Sequence, residues 1–188
     1  MSTAVASSTI VNGIDTAVLL SKVEAIIQDP AKAKTRWQAT TNWVDGTHSE
    51  THITECHISG QRIARDFRIH VDEPRELVGA GQFPNPQETL LAALNACMTV
   101  GYVALCAHEG IELESLRIET EGDIDVRGFL GIDNTVKPGY DELRYTVHIK
   151  GNATPEQFER IHRTVMATSP NYYNLRNPVP LQSRLVVD

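Results

Sequence analysis

The spacing of apolar side chains changes along the chain, and each change marks a new kind of element. From Asp15 onward, Val18, Leu19, Val23, Ile26 and Ile27 recur at helical spacing with Lys22 and Glu24 between them, until Asp29-Pro30 ends the run. This predicts an amphipathic helix whose apolar stripe needs cover. Residues 35–71 then alternate. Trp37 to Trp43, Glu50 to Ile58 and Ile63 to Val71 read as three strands of a meander, turned at Asp45-Gly46 and Ser59-Gly60. Asp72-Glu73-Pro74 breaks the last strand, and residues 75–84, with Gly79 and Gly81, predict a mobile, solvent-facing loop.

The stretch 84–109 has almost no continuous polar face. Leu90, Leu91, Ala93, Leu94, Cys97, Met98, Gly101, Tyr102, Ala104, Leu105 and Ala107 predict a buried central helix. Asn85 suits its N-cap, Pro86 its first turn and Gly110 its stop, while Gln87 and Glu88 put acceptor and negative charge at the positive end of the helix dipole. Beyond it, residues 111–125 alternate as a half-exposed strand, 126–139 read as irregular, and 143–149 alternate again. Thr154-Pro155-Glu156-Gln157 is a capping box, and Phe158, Ile161, Val165 and Met166 mark one face of a second helix that ends at Ser169-Pro170. Residues 181–187 predict a final strand.

Such segregated runs of strands and helices favour an α+β fold with antiparallel sheet packed on helices. Residues 1–34 divide from the rest as a small, polar arm, loose to about Gly13, followed by the amphipathic helix; residues 35–188 form the main domain.

Composition narrows the function. The 188 residues carry a net charge of −7 with basic residues scattered, which argues against a nucleic-acid surface. No run approaches a membrane span once polar residues are counted, and the first residues lack the basic start and apolar run of a secretory signal, so the expected location is the cytoplasm. Neither GxGxxG nor GxxxxGK[ST] occurs, so no nucleotide cofactor is expected. The three cysteines make no disulfide framework and no CxxC pair, and the seven histidines no HExxH. Strict alternation puts Cys56 on the face of His52 and sends His57 to the other, a poor arrangement for a metal. Cys106 lies nine positions past Cys97, about 13 to 14 Å along a helix, out of disulfide reach, and reads as core.

Cys97 keeps two readings. A thiol on a central helix is a nucleophile if a nearby cation lowers its pKa, and otherwise a small buried hydrophobe. Arg36, Arg62, Arg65, Arg68 and Arg75 are the upstream cations, and Glu73 and Glu88 the carboxylates. Tyr172-Tyr173 either line an apolar pocket or pack the turn.

Three segments, residues 72–100 (DEPRELVGAGQFPNPQETLLAALNACMTV), 125–140 (DVRGFLGIDNTVKPGY) and 169–181 (SPNYYNLRNPVPL), together resemble the OsmC/Ohr family of osmotically inducible and organic-hydroperoxide-resistance proteins. The resemblance runs from about Trp37 to the C-terminus. It implies antiparallel sheets packed on long central helices, an intertwined homodimer with active sites at the dimer interface, and thiol peroxidase chemistry. A first cysteine attacks the peroxide as thiolate and becomes sulfenic acid, and a second resolves it as a disulfide. Cys97 matches the first. Ser169-Pro170 stands where the peroxidases carry Cys-Pro. Gln87, with Glu88 after it, stands where the Ohr branch has a glutamate, and Trp43-Val44-Asp45-Gly46 stands where that branch has Gly-Arg-Asp-Gly. Two functions fit. One is a one-cysteine hydroperoxide reductase of oxidative-stress defence, with Cys97 catalytic, Gln87, Glu88 and Ser169 as candidate supporting residues, and an external thiol as reductant. The other is a non-catalytic homodimer that binds an apolar or thiol-bearing small molecule, with Cys97 structural. Neither calls for a cofactor, a metal, nucleic acid or a membrane.

Overall fold

The computed structural model describes residues 9–187. The chain folds as two compact units, Met1–Ala92 and Ala93–Asp188. Helices and antiparallel strand pairs make it α+β, as the element order predicts.

The first unit begins with a small hairpin in what reads from composition as a loose arm. β1 (Ile10–Val11) pairs with β2 (Ile14–Asp15). Asn12 and Gly13 take positive φ of 52° and 78°, the mirror-image turn that asparagine and glycine tolerate best. α1 (Thr16–Gln28) follows, capped by the Asp15 side chain on Val18 N–H, and buries none of its residues. Its apolar stripe is exposed, with Val18 at 52% and Ile27 at 74%.

The meander forms as predicted, with its first strand interrupted at Gln38-Ala39. β3 (Thr35–Trp37) and β4 (Thr40–Asp45) follow one another along one edge of β5 (His48–Ile58), and β6 (Gln61–Val71) pairs with β5 antiparallel. A register shift between Ile53 and Glu55 changes the phase of β5. Cys56 consequently lines the same hollow as Trp37, Ile53, Phe67 and Ile69, about 670 Å³ in volume. This corrects the expectation that Cys56 shares a face with His52, which instead meets Asp66 at 2.8 Å.

The loop after β6 is tied down rather than loose. Asp72, only 2% exposed, accepts from Thr47 Oγ1 at 2.6 Å and from the amides of Glu73, Ala80 and Gln82. Its own N–H donates to the Pro84 carbonyl. Gly79 is required here, because a Cβ at that position would sit 1.7 Å from the Glu73 carbonyl oxygen.

α2 (Pro86–His108) is the predicted central helix. Asn85 Oδ1 accepts from Glu88 N–H at 2.8 Å while Glu88 Oε2 accepts from Asn85 N–H at 2.7 Å, a reciprocal cap of about 1 kcal/mol. Its 23 residues are long and apolar enough by composition to cross a membrane, which corrects the run-length expectation. Its polar groups nevertheless bond to protein. Asn95 bridges to Ile118 O and Thr120 Oγ1, and the Tyr102 hydroxyl bonds His162 Nδ1.

In the second unit, Leu94, Met98, Tyr102 and Cys106 pack with Ile111, Ile161 and Val165 to form the core. They recur at helical spacing, so one stripe of α2 is buried by the unit's other elements. β7 (Leu113–Glu121) and β8 (Arg144–Gly151) pair antiparallel and lend Leu116, Ile118, Tyr145, Val147 and Ile149 to the same core. Between them, the stretch read as irregular contains one helical turn, α3 (Val126–Phe129), capped by Asp125. α4 (Pro155–Thr168) carries the Thr154–Gln157 capping box in full. α4 ends at Ser169-Pro170 as predicted, and Ser169 also caps a further helix that was not expected, α5 (Pro170–Arg176), with proline in its first turn. The final strand does not form. Residues 178–187 lack regular structure, and Leu181, Leu185 and Val187 are exposed at 92%, 86% and 84%. An alternating segment becomes a strand only when another strand accepts its backbone hydrogen bonds.

Candidate functional site

Cys97 is half-buried on α2, beside the fully buried Met98. Ser169 Oγ donates to its sulfur at 3.4 Å. That serine is fixed by three roles at once. Its N–H closes α4 on Val165 O, its hydroxyl accepts from Tyr172 N–H, and its carbonyl accepts from Tyr173 N–H. Asn171 Nδ2 donates to Ala93 O at 2.9 Å, which docks α5 on the stretch of α2 that carries the thiol. With one lone pair on Tyr172 N–H, the hydroxyl hydrogen is directed at sulfur. Ser169 is 5% exposed, so the donor side of this contact is shielded from water.

α5 also borders a groove of about 480 Å³, lined by Leu94, Leu143, Tyr145, Tyr172 and Leu175 together with Asp141, Glu142 and Arg176. Of the two tyrosines left open by the sequence, Tyr172 lines this groove and packs edge-on to Tyr145, while Tyr173 is 60% exposed. The groove wall therefore combines apolar and aromatic side chains with three charged ones.

The other sequence candidates belong to the first unit. Gln87 is exposed in the first turn of α2, and Glu88 is engaged in the helix cap. Arg62 and Arg68 pair with Glu55 and Glu50, Arg65 lies 4.6 Å over the Phe67 ring, and Arg75 donates to Ala80 O. Glu73 meets Asn85 Nδ2 at 3.4 Å. In the second unit Arg117, Arg127, Arg144, Arg160 and Arg163 are each paired with carboxylates. Among the described residues, Ser169 is the hydrogen-bond donor to Cys97 sulfur.

Cys106 is fully buried, and burial pushes its thiol up to about 11, with the Glu109 charge adding to the shift. It belongs to the core, as its spacing from Cys97 predicts. Two buried polar features escape sequence reasoning. One is the Asp72 network; the other is Tyr102, 1% exposed, whose phenol is pushed up by burial while bonding His162. Only the helical phase of Tyr102 hints at its burial; nothing local pairs it with a histidine 60 positions away.

A family model described as OsmC-like protein matches residues 79–184, more than half of the chain. A protein of Bacillus subtilis strain 168 described as uncharacterized protein YmaD is 38% identical over 53 residues, 28% of this chain and 35% of its own length. The chain thus spans about a third of that relative. The crystal structure of an OsmC-like protein from Mycoplasma pneumoniae is 15% identical, covers 76% of this chain and 89% of that one, and superposes with a TM-score of 0.59. An organic hydroperoxide resistance protein OsmC from Legionella pneumophila is 16% identical over 74% of this chain and 90% of its own, with a TM-score of 0.50. At these identities the two structures are relatives in fold.

Proposed function

The chain belongs to the OsmC-like protein family, and from that premise we propose that it is a one-cysteine, thiol-dependent hydroperoxide reductase of oxidative-stress defence. The observation that carries this reading is the 3.4 Å contact from Ser169 Oγ to Cys97 Sγ. A hydroxyl donor stabilises a thiolate, as charge-assisted hydrogen bonds do, and it can hold the oxygen of a sulfenic acid. It cannot close a disulfide.

The chemistry balances with an external thiol. The Cys97 thiolate attacks one peroxide oxygen, the O–O bond breaks, and the other oxygen leaves as an alcohol after taking a proton. A reductant thiol then attacks the sulfenate sulfur, releasing water and leaving a mixed disulfide. A second thiol displaces Cys97 and leaves as the oxidised disulfide. An organic hydroperoxide is the substrate class, in line with the description of the Legionella pneumophila relative as an organic hydroperoxide resistance protein. A cytoplasmic location fits the need for a reducing thiol pool.

A homodimer is part of the proposal. Trp37, Trp43 and Phe67 in the first unit, and Val100, Leu181 and Leu185 in the second, are all more than half exposed, apolar area that a second copy would cover.

A second reading is supported by the groove that Tyr172 and Leu175 line and by the absence, among the described residues, of a guanidinium bonded to Cys97. It makes the protein a small-molecule-binding dimer with Cys97 structural. Consumption of cumene hydroperoxide with a dithiol reductant separates the two. The reductase reading expects turnover in the wild type and none in Cys97→Ser; equal rates in both would leave the binding reading.

A further inference from the structure

Two histidines meet on the first unit's sheet beneath the loop that leads to α2. His48 Nε2 lies 3.1 Å from His70 Nδ1, and Phe83 stacks on both rings with centroids 4.9 Å away in each case. His70 Nε2 is 3.6 Å from Glu50 Oε2, and Arg68 pairs with the other Glu50 oxygen. Thr47, the neighbour of His48, donates to the Asp72 carboxylate. Asp72 in turn takes the amides of Ala80 and Gln82 and gives its own N–H to Pro84 O. Phe83 is thus the side chain by which a doubly anchored loop rests on the histidine pair.

An N–H···N bond between two imidazoles holds one proton between the facing nitrogens. A second proton there sets N–H against N–H, with two positive rings 5.4 Å apart. Glu50 offsets one of those charges, on His70, but it is shared with Arg68. Asp72, the carboxylate reached through Thr47, is already saturated by that hydroxyl and by backbone amides. Doubly charged, the pair loses its bond and repels.

We infer that the His48–His70–Phe83 stack is a pH-sensitive latch on residues 73–84, closed while one N–H···N bond joins the histidines and released when both rings are protonated. The Asp72 anchor does not let go with the histidines. The Thr47 hydroxyl, and then the backbone amides, hold its carboxyl below the ordinary 3.8. Its contribution is therefore present above 3.8 and lost only as pH falls through that depressed value. The segment released is the one that precedes the Asn85 cap of α2.

Hydrogen exchange of the full-length protein tests this, comparing amides of residues 73–84 at about pH 7.5 and about pH 5.5 after correction for intrinsic rates. The wild type should lose protection about tenfold or more on acidification. His48→Phe keeps a ring under Phe83 without a titrating nitrogen, and its protection should be the same at both values. Nitrogen-15 shifts of the wild-type imidazoles give a second readout that needs no variant: two separated protonation steps, with the Phe83 ring signals following the second. Protection that ignores pH in the wild type, an equal loss in His48→Phe, or two independent histidine titrations would each overturn the latch.

Discussion

Ser169 Oγ and Cys97 Sγ lie 3.4 Å apart, with the hydroxyl donating to the sulfur. The two residues are 72 positions apart in sequence and are brought together by α5 docking on α2 through Asn171. The same geometry shows what a second sulfur would do at this position. Ser169→Cys should form a reducible disulfide with Cys97 on treatment with an organic hydroperoxide, seen as loss of free thiol and a two-proton mass decrease. Ser169→Ala should slow Cys97 oxidation at least about tenfold, since a hydrogen bond to a charged group contributes roughly 1.5 to 3 kcal/mol.

Much of the fold is legible because its signals are local. The Thr154–Gln157 box and the Asn85 N-cap sit at their expected positions, since a cap needs only residues three apart. The Asn12-Gly13 turn carries an equally local signal, but the small residues before it mask a hairpin only two residues deep on each side. Ser-Pro after α4 is ambiguous in sequence. It stops one helix and opens the next, and the second meaning depends on the serine hydroxyl finding Tyr172 N–H. The bulge at Ile53/Glu55 and the unpaired tail at 178–187 are decided by which strand lies alongside, information that alternation does not contain. The site divides the same way. Cys97 is marked by its helix and by family resemblance, whereas the hydrogen bond from Ser169 and the groove at Tyr172 and Leu175 exist only after folding.

The core stripe of α2 sets a stability prediction. Met98 is fully buried among Leu94, Tyr102 and Val165, so Met98→Ala should cost about 2 to 5 kcal/mol in chemical denaturation. Tyr102→Phe removes the hydroxyl bonded to His162 and keeps the ring, and should cost about 1 to 2 kcal/mol.

Gly79→Ala should disrupt the Asp72-centred loop, because the added Cβ would meet backbone that has no room to move. The expected signature is loss of hydrogen-exchange protection at Ala80 and Gln82 together, the two amides beyond it that Asp72 holds. Retained protection at both would show that the turn rearranges without cost.

Cys106 gives a pH dependence of definite sign. Its folded thiol is raised from the ordinary 9.0 to about 11, so its contribution to stability is complete below 9.0 and is lost as pH rises toward 11. Cys106→Ala should flatten that alkaline decline. In the folded wild type at about pH 8, where an ordinary thiol is partly ionised, Cys106 should resist iodoacetamide while unfolded protein labels there freely.

Peroxide reduction by this protein depends on the sulfur of Cys97. The direct measurement is mass spectrometry of the wild-type protein exposed to an organic hydroperoxide in the presence of dimedone. A dimedone adduct on the peptide containing Cys97, absent from the peptides of Cys56 and Cys106, is the predicted result. Peroxide exposure that leaves Cys97 unmodified would contradict it.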